Sequence, residues 1–210
     1  MKNLRILIAL IILMIYGACQ NNDNLINENL LISYKNKNAI INEVYHEYMK
    51  NIKSIGFENI VTSEHLINDN DFSIADKKII EAEMVFKNFN SINEKLYKDL
   101  FNIIDSIKPT KSLNSNDISK IRIILDSKFK DINKNREVDS LGIDAYKKIK
   151  DFLKSKCKFE IENNQIYFEN EECKNEYFKL SLNLGVIQSK AALDEMKKKN
   201  NELQKKYGKY

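Results

Sequence analysis

The chain has 210 residues, 30% of them charged, and a formal net charge of +4. Only Arg5, Arg122 and Arg136 are arginine among its 34 basic residues, so the planar fork suited to phosphate is scarce and no concentrated basic patch marks a nucleic-acid partner. Five glycines, one proline and no tryptophan exclude a turn-rich all-β fold and favour helices.

The first element is an address. Met1 to Arg5 form a short basic head, Ile6 to Ile15 an apolar run, and Tyr16-Gly17-Ala18-Cys19 a small-residue cleavage site. These are the parts of a bacterial export signal, and the apolar run is too short for a retained membrane span. A cysteine directly after Gly17-Ala18 is the acylation site of a lipoprotein, so residues 1–18 are expected to be a signal peptide and Cys19 the lipidated N-terminus. Loss of Lys2 and Arg5 with the signal lowers the formal charge from +4 to +2. Residues 19–38 are Asn-rich with scattered apolar residues and read as a flexible tether. A single helical domain is expected over 39–210.

Within that domain five segments carry helical periodicity. Ile41, Val44, Tyr48, Ile52 and Ile55 share one stripe, and Gly56 supplies a stop. A connector over 57–72 has room for one helical turn near Glu64 to Ile67. Ser73-Ile-Ala-Asp76 resembles a capping box at the start of the second helix, whose stripe from Val85 to Ile107 ends at Pro109. A third helix starts at Asn114 to Asn116 and carries Ile118, Ile121, Leu125, Phe129 and Ile132. A shorter fourth runs from about Ser140 to Lys156. The fifth begins near Cys173 with Tyr177, Leu180, Leu184, Ile187 and Ala191 on one face and a Lys-rich end. The fold class is therefore all-α, an antiparallel helical bundle of about five helices with one small β-hairpin between the last two.

The hairpin lies between Cys157 and Cys173. Phe159/Ile161 alternate with Glu160/Glu162, and Gln165 to Glu169 alternate likewise. Asn163-Asn164 suits a two-residue turn, which pairs Glu162 with Gln165, Ile161 with Ile166 and Phe159 with Phe168. All four apolar side chains then share a face, with Glu160, Glu162 and Tyr167 on the other. Two cysteines bracketing a hairpin in an exported protein predict a disulfide, with two free buried thiols as the rival. A metal pair would lack ligands, because His46 and His65 are distant in sequence and acylation consumes Cys19.

Chemistry-bearing motifs are sparse. His46, in Val44-Tyr-His-Glu-Tyr-Met49, reads as a partly buried helix histidine, and His65 as a surface histidine in a connector. No His-Glu-x-x-His, Gly-x-Ser-x-Gly or phosphate-loop pattern is present. Asp131 to Asp139 places oxygen-bearing side chains at alternate positions like a calcium loop. Arg136 replaces the required glycine and Gly142 the bidentate Glu, so a polar interhelical turn is the better account. No enzyme activity, metal or cofactor is expected. Tyr34, Tyr45, Tyr97, Tyr146, Tyr207 and Tyr210 are candidate interface anchors, some of them necessarily in the core. Lys197 to Lys199, Lys205 and Lys206 read as a solvated helix end.

The Tyr16-Gly17-Ala18-Cys19 signal, polar tether, Asn/Ile/Lys-rich composition and small helical domain resemble the surface lipoproteins of Borrelia spirochaetes. Among these, the chain resembles the helical complement-regulator-acquiring proteins, which capture factor H, although paired cysteines depart from their pattern. The resemblance implies an outer-membrane, lipid-anchored, surface-exposed module that binds a host protein, whether a complement regulator or another serum or matrix protein. Its partners would be the membrane, through Cys19, and that host protein, with no nucleic acid. The alternative is a periplasm-facing structural or adaptor lipoprotein. No ligand-binding residue can be carried over.

Overall fold

The structure, a computed structural model, describes the backbone of residues 2–207 and the side chains of residues 24–190 together with Ala192, Leu193 and Met196. Among these residues the fold is all-α. Five helices, α1 (Lys2–Ile55), α2 (Ser63–Asn68), α3 (Ser73–Ser106), α4 (Ser115–Ser155) and α5 (Glu171–Tyr207), are joined by one hairpin, β1 (Phe159–Glu162) and β2 (Gln165–Phe168). The hairpin lies between the last two helices.

Local chemistry sets the helix ends. Gly56, at φ 60°, stops α1 where any side chain would be strained. Pro109 follows three residues after the end of α3. Asn114 caps α4, its Oδ1 accepting the N–H groups of Asn116 at 2.9 Å and Asp117 at 3.1 Å. Asn170 does the same for α5 through Cys173 N–H at 2.7 Å. The start of α3 differs from the expected capping box. Asp69, outside the helix, accepts Ile74 N–H at 2.9 Å and Ala75 N–H at 2.8 Å. Asp76 instead faces α4, where Lys150 and Lys154 meet its two oxygens at 2.5 and 2.7 Å. Those ammonium groups, Lys150 first, hold the Asp76 carboxyl below its usual range.

Two expected elements are merged into their neighbours. The expected tether over 19–38 lies within α1, because no Gly or Pro interrupts the chain between Gln20 and Ile55 and tertiary contacts override the weak helix preference of Asn. The third and fourth expected helices are one continuous α4. The polar stretch 131–139 that reads as a turn contains no Gly or Pro, Asn133 pairs with Arg136 one turn on at 3.0 Å, and Val138 is buried.

The contacts group into two compact units. Unit 1 takes residues 1–46 and 91–131. Asn27 meets both backbone groups of Lys108 and Lys37 pairs with Asp99, so α1 and α3 run antiparallel there. Tyr97 against Phe129, with Arg122 bonded to Asp105, sets α4 antiparallel to α3. Tyr97, Leu100, Ile104 and Leu125 are fully buried in this unit. Burial pushes the Tyr97 hydroxyl up to about 12.

Unit 2 takes residues 47–90 and 132–210. Its core gathers Ile60, Leu66, Phe72, Ile79, Ile149 and Leu153. Glu83–Lys147 and Asp76–Lys150 again set α3 and α4 antiparallel. Phe72 is buried at φ 60°, a left-handed conformation whose cost of roughly 1–2 kcal/mol is offset by burial of the ring. The hairpin has the register read from sequence, with Phe159 opposite Phe168, Glu160 opposite Tyr167, Ile161 opposite Ile166 and Glu162 opposite Gln165. Asn163 and Asn164 take φ of 49° and 60° in the turn. The four apolar hairpin residues pack on the unit 2 core while Glu160, Glu162 and Tyr167 face solvent.

Candidate functional site

Cys157 and Cys173 are bonded, with their Cα atoms 5.9 Å apart. Closing this loop stabilises the folded state by about 3 kcal/mol in the chain-entropy account. Beside the bond a groove of about 1130 Å³ runs between the end of α4 and the start of α5. Its charged rim mixes Lys148, Lys156 and Lys179 with Asp151, Glu172 and Glu176, so it favours no sign of ligand. Cys19 lies on the α1 backbone, outside the described side chains, as do those of Lys197 to Lys199, Lys205, Lys206 and Tyr207; Tyr210 lies outside the described residues altogether.

The two histidines exchange the environments expected of them. His46 is exposed on α1, whereas the His65 side chain is only 15% exposed, its Nε2 3.5 Å from Asp69 Oδ2. The reason is the turn of α2, which puts positions 65 and 69 on one face. The Asp131–Asp139 oxygens cannot converge on a cation, because alternate residues of a helix point to nearly opposite sides. Among the described residues no group of three or more His, Cys, Asp or Glu is placed to hold a metal ion. Of the tyrosines proposed as surface anchors, Tyr97 and Tyr146 are buried and Tyr34 and Tyr45 half-buried.

Two features of unit 2 remain. The first is a row along α5: Phe178, Leu182 and Val186, at four-residue spacing, are 66%, 59% and 59% exposed, and Leu193 and Met196 extend it. Scattered exposed apolar residues are ordinary, but a row along one helix is a contiguous patch. The core-facing stripe of the same helix, with Leu184 and Ile187, was legible in the sequence. The second stripe carries its own sequence signal in the four-residue spacing of Phe178, Leu182 and Val186.

The second feature is a pocket of about 200 Å³ where α1, α4 and α5 meet the 3-10 turn at Phe57–Asn59. Tyr48 from α1 donates its hydroxyl to Asp139 Oδ2 on α4 at 3.0 Å. Tyr48 is held from behind by a stacked contact with Phe89 at 4.2 Å between centroids. Phe57 meets Tyr146 edge-on at 5.1 Å, and the Tyr146 hydroxyl accepts from Gln188 of α5 at 2.9 Å. Gly142 lies one turn along α4 from Asp139, and a Cβ there would meet nothing within 4 Å. Burial pushes the Asp139 carboxyl above its ordinary range against the opposing effect of the Tyr48 bond.

No family model, curated protein or solved structure matches this chain. Among the described residues no helix is long and apolar enough to cross a membrane.

Proposed function

We propose that the chain is an outer-surface lipoprotein, anchored through acylated Cys19, whose helical fold binds a host protein by surface complementarity without turnover. The observation that carries this reading is the exposed Phe178–Leu182–Val186 row on α5. Leaving three large apolar side chains in water along one helix forgoes roughly 1.5–3 kcal/mol of burial for each, and a partner groove that covers them recovers it. Anchors at i, i+4 and i+8 are the pattern by which a helix enters an apolar groove. In this reading the signal peptide at residues 1–18 carries that row out of the cytoplasm, where a host protein would be the partner.

The reading has two tests. Protease treatment of intact cells should remove the protein, and sparing it would favour the periplasm-facing adaptor. Capture of a serum or matrix protein should be lost on Leu182→Glu with the melting temperature unchanged, since the side chain touches solvent. Capture that survives Phe178→Glu and Leu182→Glu together would sink the α5 row as the binding face.

A further inference from the structure

The pocket beside Asp139 has a composition at odds with the rest of the chain. In a protein with 34 Lys and Arg, none is among the described residues that line it, whereas Asp139 and Glu58 both are. Apart from Gln188, whose amide is engaged with the Tyr146 hydroxyl, the rest of the wall is apolar or aromatic, with Tyr48, Phe57 and Tyr146 supplying three rings. We propose that this pocket binds a small organic ammonium ion, with Asp139 as its counter-ion and the rings of Tyr48, Phe57 and Tyr146 around its alkyl groups.

Three structural observations carry the assignment. The first is the state of Asp139. Tyr48 occupies Oδ2, and among the described residues nothing donates to Oδ1. Asp139 is half-buried, and an asparagine would accept the same Tyr48 hydroxyl without placing a charge beside the rings, so the hydrogen bond alone does not account for a carboxylate at this position. A cation in the pocket does. The second is the aromatic wall, since ring faces attract ammonium groups and do so more strongly when water is excluded. The Phe57–Tyr146 and Tyr48–Phe89 contacts fix those rings before any ligand arrives, which lowers the ordering cost of binding. The third is Gly142. A glycine inside a helix is unfavourable by roughly 0.5–1 kcal/mol relative to alanine, and neither a turn nor a positive φ requires one here. What its missing side chain does is leave the pocket open.

Size restricts the ligand. At the roughly 30 Å³ that a water molecule occupies in the liquid, 200 Å³ accommodates about seven non-hydrogen atoms. That is room for a trimethylammonium or short alkylammonium compound and too little to enclose a nucleotide or a folded peptide. Glu58, exposed at the rim and close enough to bear on the Tyr146 hydroxyl, adds negative potential at the entrance.

The test uses the full chain in a maltoside detergent, free of choline headgroups, with choline as the probe and its uncharged carbon isostere, 3,3-dimethylbutan-1-ol, as the control at matched ionic strength. Calorimetric titration should show one saturable choline site per chain. The neutral isostere should bind at least roughly tenfold more weakly, and Asp139→Asn should weaken choline by a similar factor while leaving the circular-dichroism melt cooperative. Gly142→Leu should abolish binding by filling the space. Absence of saturable choline binding overturns the proposal. So does equal affinity for the isostere, which would make the pocket merely apolar, or full retention of choline by folded Asp139→Asn.

Discussion

The start of α3 and the middle of α4 each withdraw an aspartate from water, and they treat it in opposite ways. Asp69 accepts two backbone N–H groups at the positive end of a helix, and His65 Nε2 lies 3.5 Å from its Oδ2 without a hydrogen bond. Asp139 has one tyrosine hydroxyl and a wall of rings. The first arrangement stabilises a carboxylate and the second tolerates it at a cost. A buried acid with its partners in place is part of the fold. One with a single partner beside an open pocket is where the fold gives up stability, and binding is the customary reason for doing so.

That contrast can be broken by substitution. Asp69→Ala should show the largest effect, a loss of about 2 kcal/mol in denaturant unfolding, because it removes a cap and strands the buried Ala75 N–H. A loss below half of that would mean water replaces the carboxylate easily and the contrast is false. Asn93 provides a calibration from unit 1: it is fully buried, and among the described residues neither its Nδ2 nor its Oδ1 finds a partner. Asn93→Leu should therefore gain about 1–2 kcal/mol.

Asp139→Asn should also stabilise, by less, and only at neutral pH. The unfolded carboxyl titrates near its ordinary value of about 4, and burial raises it in the folded chain. Folding thus favours the protonated acid, and the stability this group contributes is present in full below the unfolded value and lost as pH rises through the folded one. Thermal melts of wild type and Asp139→Asn should diverge at pH 7 and converge below about pH 4; a constant difference would remove ionisation as the cause. The smallest change, Gly142→Ala, should add roughly 0.5–1 kcal/mol, since its new methyl group meets no neighbour. A loss instead would show that the wall is tighter than its geometry.

The hairpin was the most legible part of the fold. Its period of two, the Asn163-Asn164 turn and the flanking cysteines determine register without tertiary information. Stops at Gly56 and Pro109 were legible for the same local reasons. The continuity of α4 was not, because Asn-rich stretches read as turns, and only packing of residues such as Val138 decides that 131–139 stays helical. The Asp69 cap was hidden by a nearer competitor, Asp76, whose fate depends on lysines more than seventy residues away. The pocket could not be read at all. Its defining residues, Tyr48, Phe57, Asp139 and Gln188, come from four segments that only the folded chain assembles.

The bond between Cys157 and Cys173 decides what a protease cut in the hairpin does to the chain. The turn of the hairpin, Asn163-Asn164, is exposed and lies inside the covalent loop. A single cut there divides the polypeptide in two but releases nothing. The fragment that begins with β2 and carries α5 stays tethered through Cys173, with Leu184 still seated in the unit 2 core. Damage at this turn is therefore silent until a reductant arrives, and a nicked molecule would migrate as one band on a non-reducing gel and as two after reduction.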